Sequence, residues 1–194
     1  MEKPLIFTNL DGLLIKHEAF IEPHKAWFDR AIKKTGDKSL ENWKGKEDYF
    51  KGVNIAMEKI MPKASSEQRI FQARKWYQED VVNYIRENPD VTIQKNVRKI
   101  RSLKQKYKLI LITTNTKDYI DKILQVSGLQ DIYDIIIASK TEEEPDKKNL
   151  ITETIKKYGK SRYYLTGKED LKVVEQFKKL GVKVIHEEDI TKLF

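Results

Sequence analysis

Five short runs rich in Ile, Leu, Val and Tyr, at residues 4–8, 108–113, 133–138, 162–165 and 182–185, constrain this chain more than any other feature. A strand with one wet face alternates apolar and polar residues, whereas an uninterrupted apolar run reads as a strand covered on both faces. Helical patterns lie between these runs. Residues 118–126 put Ile120, Ile123 and Leu124 on one stripe, 147–158 do so with Leu150, Ile151, Thr154 and Ile155, and 170–180 with Leu171, Val174, Phe177 and Leu180. Gly128, Gly159 and Gly181 supply the stops. Strand and helix in alternation, joined by short connections, predict right-handed crossovers and a mostly parallel five-stranded sheet in an α/β, Rossmann-like core. Such sheets bind ligands at the carboxyl ends of their strands. Asn9, Asp11, Thr114, Asn115 and the acids after Thr166 are expected there.

Residues 16–88 carry no strand pattern. They predict three helices, over 19–34, 40–61 and 66–86, the last preceded by Ser65 and Gln68 at capping-box spacing. All three tryptophans fall in this region, and Trp27, Trp43, Trp76, Tyr49 and Phe50 have the spacing of buried helix faces rather than ligand contacts. The organisation expected is a core of residues 1–15 and 89–194 with a helical cap, 16–88, inserted after the first strand.

Composition removes several classes of chemistry. The absence of cysteine excludes disulfides, thiol catalysis and cysteine-ligated metals. His17, His24 and His186 have no zinc-ligand spacing. No apolar stretch reaches the roughly 20 residues that span a bilayer, and residues 1–8 lack a signal-peptide layout. A soluble, cytoplasmic protein without membrane contact is the expectation. The formal charge of +8 owes much to 91–108, which holds seven Lys and Arg and no acid. Ile93, Val97, Ile100 and Leu103 give that segment an apolar stripe as well. A solvated helix face is therefore expected, and nucleic acid is not expected as a partner.

The first run ends in Phe7-Thr-Asn-Leu-Asp-Gly-Leu-Leu14. Read on its own, Asn-x-Asp-Gly is good turn chemistry. Thr114-Asn115 reads equally as a helix cap, 142–144 as a solvated acidic loop and Asp170 as a first-turn helix acid. Taken in order and spacing, however, the segments resemble the haloacid dehalogenase (HAD) superfamily of phosphohydrolases, in its subgroup with a helical cap after strand 1. Residues 7–14 resemble its first motif, Asp-x-Asp-Gly-Thr. Leu109-Ile-Leu-Ile-Thr-Thr-Asn115 is similar to the second, and Glu144-Pro145-Asp146 stands where Lys-Pro-Asp is typical. Residues 163–184 resemble the last motif, normally Gly-Asp with a further Asp.

The resemblance implies roles. The nucleophile position is Asn9, the general acid and base Asp11. The phosphate-binding groups are Thr114 and Asn115 with the backbone near Leu10. Mg²⁺ would be held by Asn9, Asp11 and Glu169 or Asp170, and the substrate would be a small phosphorylated molecule. Three positions depart from the pattern. An amide at 9 is neutral, a poor nucleophile and a weaker Mg²⁺ ligand than a carboxylate. Glu144 reverses the sign of the third-motif lysine, with Lys140, Lys147 and Lys148 as other sources of positive charge. In the fourth motif, counting from the strand puts Thr166 at the acidic position, whereas counting back from Gly181 puts Glu169 there. The expectation is a HAD-like pseudoenzyme with weak or lost phosphatase activity. The alternative is an active Mg²⁺-dependent phosphatase carrying Asn9 as an introduced substitution.

Overall fold

The computed structural model describes residues 3–46, 48–140, 147–169 and 171–193. Glu144 and Asp170 lie outside them. The chain divides into two compact units, Met1–His17 with Pro89–Phe194, and Glu18–Asn88.

The first unit is built on five parallel strands in the order β3-β2-β1-β4-β5. They are β1 (Leu5–Thr8), β2 (Lys108–Thr116), β3 (Ile135–Ser139), β4 (Tyr163–Thr166) and β5 (Lys183–His186). In this unit α4 (Gln94–Leu103) precedes β2, α5 (Lys117–Val126) follows it, and α6 (Lys147–Tyr158) and α7 (Leu171–Lys179) precede β4 and β5. Phe7, Ile110, Ile112, Ile151, Tyr164 and Phe177 meet in one buried cluster, where the Tyr164 and Phe177 rings stack at 4.0 Å. Leu109 to Ile112 are buried without interruption, which is why β2 reads as a continuous apolar run. The chain lays β1, β2 and β3 outward in one direction, then returns to place β4 on the free side of β1. The strand order therefore reverses between β1 and β4, and a crevice opens outside the carboxyl ends at such a reversal.

Among the boundaries that differ from the sequence expectation, two concern the basic helix and β3. The basic helix is confined to α4, because Lys104 to Tyr107 leave it in a turn. Strand β3 begins two residues later than its apolar run, at Ile135. Asp134 is instead turned back on β2, where its carboxylate accepts the Leu109 N–H at 2.7 Å.

The second unit contains α1 (Glu18–Thr35), α2 (Tyr49–Ile60) and α3 (Ser66–Glu87). A single helix over 40–61 is not formed. Lys38–Trp43 is a separate 3-10 turn, capped by Asp37, and Gly45, at φ +70°, takes the chain out of helix before α2 starts. The unit has its own core of Trp27, Phe28, Ala31, Leu40, Ala56 and Met57, with Trp43, Tyr49 and Trp76 half-buried against it. Phe50 departs from the expectation: it is 50% exposed, although its ring stacks on Tyr49. His24 sits between the rings of Tyr49 and Tyr77, and burial lowers its pKa to about 4. The reciprocal Ser65–Gln68 capping box starts α3.

Candidate functional site

The loop after β1 is held by its own backbone and by the loop after β4. Leu10 O accepts N–H groups from Leu13, Leu14 and Ile15, which winds 10–15 into a tight turn. On the β4 side the ladder continues past Thr8, with Asn9 N–H donating to Leu165 O at 3.1 Å and Lys168 N–H to Asp11 O at 2.9 Å. Between these two rungs the Asn9 side chain forms a third. Its Nδ2 donates to Lys168 O at 2.6 Å, and its Oδ1 accepts the Gly167 N–H at 3.3 Å. A carboxamide in this orientation matches a carbonyl and an N–H together, which an ionised carboxylate, an acceptor only, cannot do. Asn9 itself is buried, 5% exposed, and an unmet polar group there is costly.

Gly167 is fixed by space. A Cβ there would collide with the backbone of Gly12 and Leu13. The two loops thus meet backbone to backbone.

Asp11 follows on the same loop. The Nδ1 of His17 faces both carboxylate oxygens, at 2.8 and 3.0 Å. Burial raises the Asp11 pKa, His17 opposes that rise, and the charge of Glu169 adds to it. A carboxyl in this setting holds a proton more readily than an exposed one, as a general acid must.

Thr114 and Asn115 lie at the carboxyl end of β2 as the strand spacing predicts; Thr114 is half-buried and Asn115 exposed. The Asn115 backbone N–H donates to Thr113 Oγ1 at 3.2 Å. Glu169 is drawn into a buried cluster by the ammonium of Lys147, at the first turn of α6, and by the hydroxyl of Tyr164 on β4. Burial, and then the Glu169 charge, raise the Tyr164 pKa well above its ordinary value. Of the three lysines that the sequence offers near the third motif, Lys147 is the one that contacts Glu169.

Mg²⁺ asks for oxygen ligands in near-octahedral geometry, including one or two carboxylates. The described donors do not fit it as they stand. Asn9 Oδ1 faces an N–H, Glu169 faces an ammonium, and Asp11 faces an imidazole. Among the described residues no three acid or histidine side chains converge on a common point.

His17, Gly167 and Tyr164 were not candidates in the sequence. His17 stands six residues from Asp11, and no local pattern joins them. Gly167 stands one residue after Thr166 and two before Glu169, the positions at which the two counts of the fourth motif look for an acid, but a glycine carries no chemistry to look for.

A family model for haloacid dehalogenase-like hydrolases matches residues 6–186. The chain belongs to that family. Solved structures agree on the fold, at low identity. A β-phosphoglucomutase from Clostridium difficile aligns with a TM-score of 0.61 and 14% identity, over 99% of this chain and 88% of that one. A phosphatase-like protein of the same organism gives 0.60 and 14%, over 99% and 91%. A HAD-hydrolase from Bacillus subtilis, solved bound to magnesium, gives 0.58 and 12%, over 95% and 88%. No curated relative matches the sequence at a significant level. Among the described residues, no helix of this family member is long and apolar enough to cross a membrane.

Proposed function

We propose that this HAD-family chain keeps a phosphate-type pocket at the carboxyl ends of β1 and β2 and has weak or no phosphohydrolase turnover. The observation that carries this reading is the Asn9 carboxamide, engaged on both polar atoms by the backbone of Gly167 and Lys168. A covalent route needs an anionic oxygen at position 9, free to reach phosphorus. Here the group is neutral and already bonded. In this reading Leu10, Thr114 and Asn115 contact phosphate oxygens, and Asp11 is a retained acid with no nucleophile to serve. The inserted residues 16–88 are the cap that selects a small phosphorylated ligand. Glu169 has changed role, from a metal-side acid to the counterion of Lys147.

One observation favours the second reading, an active phosphatase. The Asp11 carboxylate lies 2.8 Å from an imidazole nitrogen of His17, within reach for a proton to be shared between them. The two readings separate by assay. Release of phosphate from p-nitrophenyl phosphate and a small sugar phosphate, with Mg²⁺ supplied, is expected to stay near background for the chain as it is and for Asn9→Asp. Removal of a covalent nucleophile costs on the order of 10⁴ to 10⁶ in rate, so turnover at the speed of ordinary phosphatases from either protein would defeat the proposal.

A further inference from the structure

In a parallel sheet with helices returning alongside it, the residues leading into every strand gather at one end, together with the last turn of each preceding helix. That is the end opposite Asn9. In this chain it collects three stretches without a single Asp or Glu: 91–117, 154–168 and 176–186. The lead-in to β2 brings Lys106 and Lys108, that to β4 brings Lys160 and Arg162, and that to β5 begins the strand with Lys183. The order β2-β1-β4-β5 makes these lead-ins neighbours. Hydrogen bonds tie them edge to edge: Lys108 N–H to Pro4 O at 2.9 Å, Ser161 Oγ to Leu5 O at 2.7 Å, and Lys183 N–H to Arg162 O at 3.0 Å. The Lys160 ammonium lies over Gly181, in the turn before β5.

The described acids in the lead-in to β3 are answered there: Asp131 by Arg101, and Asp134 by Lys104. Among the described carboxylates none forms an ion pair with Lys106, Lys160, Arg162 or Lys183, and all four are exposed. A basic last helical turn complements the helix dipole and explains Lys156, Lys157, Lys178 and Lys179. It does not explain the five cations that lie outside any helix. Like charges crowded on one edge repel each other, so their common position points to an external polyanion.

We propose that this basic edge binds the phosphate backbone of a single-stranded nucleic acid. Four adjacent strand ends span three spacings of about 4.8 Å, roughly 14 Å in all, and nucleotides recur at about 3.4 Å of rise or more along a strand. The row thus meets several consecutive phosphates. Tyr107, half-buried just before β2, offers ring surface for a base. An anionic membrane fits less well. Surface helices that enter bilayers present a broad apolar face, whereas Leu180 is the one large apolar side chain exposed in these stretches. Helix α4 alone argues poorly for such a partner. The fold supplies what that helix lacks, by bringing the second and third acid-free stretches beside the first. The inference is independent of the proposed loss of turnover.

The test is fluorescence anisotropy with a labelled oligouridylate of about 15 nucleotides, titrated over a range of salt. With about four phosphates neutralised, the expected slope of log K against log salt is about −3. K160E/R162E/K183E should weaken binding by about tenfold or more at low salt and flatten the slope by about 2. The neutral triple K160Q/R162Q/K183Q should act in the same direction, less strongly. K33E/K63E/K75E, at exposed positions in the second unit, changes the net charge equally and should leave the slope alone. Circular dichroism melts confirm that each variant folds. Absent or salt-independent binding would overturn the proposal, as would equal loss in the charge-matched control or a preference for phosphatidylserine vesicles over RNA.

Discussion

Asn9 shows how one atom can change what a position does. As asparagine it bridges a carbonyl and an N–H; as aspartate it keeps the acceptor, loses the donor, and sets a negative oxygen against Lys168 O. Asn9→Asp is therefore expected to lower stability at neutral pH by about 1–3 kcal/mol, the cost of leaving a buried polar group unmet. Urea denaturation measures it, and an unchanged midpoint would mean that the two bonds contribute nothing. Asp11 gives a prediction with a defined sign. Burial raises its folded pKa above the unfolded 3.8, so the folded state favours the protonated form. That contribution is fully present below the unfolded value and is lost as pH rises through the folded one. Asp11→Asn removes the ionisation. It should be more stable than the parent at neutral pH, with the difference shrinking towards pH 3.8 and below; thermal melts across that window would show it.

At the scale of elements, one largely buried ion pair joins α6 to the loop after β4. The side chains of Lys147 and Glu169 are 15% and 10% exposed. Breaking such a pair from one side strands a charge and costs about 3–5 kcal/mol, while removing both partners is far cheaper. Lys147→Met should accordingly destabilise strongly, and Lys147→Met with Glu169→Gln should recover much of the loss. A double-mutant cycle in urea reads this directly, and additive effects would show that the pair is not coupled. The same scale explains where the sequence reading stopped. Continuous apolar runs and glycine stops located every strand and the helices between them, because burial on both faces writes itself into consecutive residues. The break between the 3-10 turn and α2 was not legible. Apolar residues on both sides keep helical spacing, and the interruption is a backbone property of Gly45. Nor was the pairing of Lys147 with Glu169 legible, since they are 22 residues apart and meet only because β4 brings the chain back to the end of the sheet where α6 begins.

At the scale of the whole molecule, the second unit is inserted at a point where the first unit closes on itself. Lys16 N–H donates to Val91 O at 2.8 Å and Ile93 N–H to Leu14 O at 2.8 Å, while Ile15 and Thr92 form an antiparallel bridge. The two connecting segments therefore lie side by side, and the ends left by removing 18–88 are close. A chain in which His17 is joined to Pro89 through about four glycine and serine residues, a hairpin-length loop, is expected to retain a cooperative unfolding transition. Loss of that transition in circular dichroism would show that the first unit depends on the insert.

The sequence by itself determined the α/β core, the helical insert, the strand-end position of Asn9, Asp11, Thr114 and Asn115, and the likeness that the family match supports. These are local properties: periodicity, turn chemistry and the order of motifs. Only the tertiary structure decided what those residues touch. It closed Asn9 onto Gly167 and Lys168, set His17 on Asp11, and lined up three distant basic stretches on one edge. The first and the last of these depend on β4 lying beside β1, a long-range pairing that no window of sequence contains.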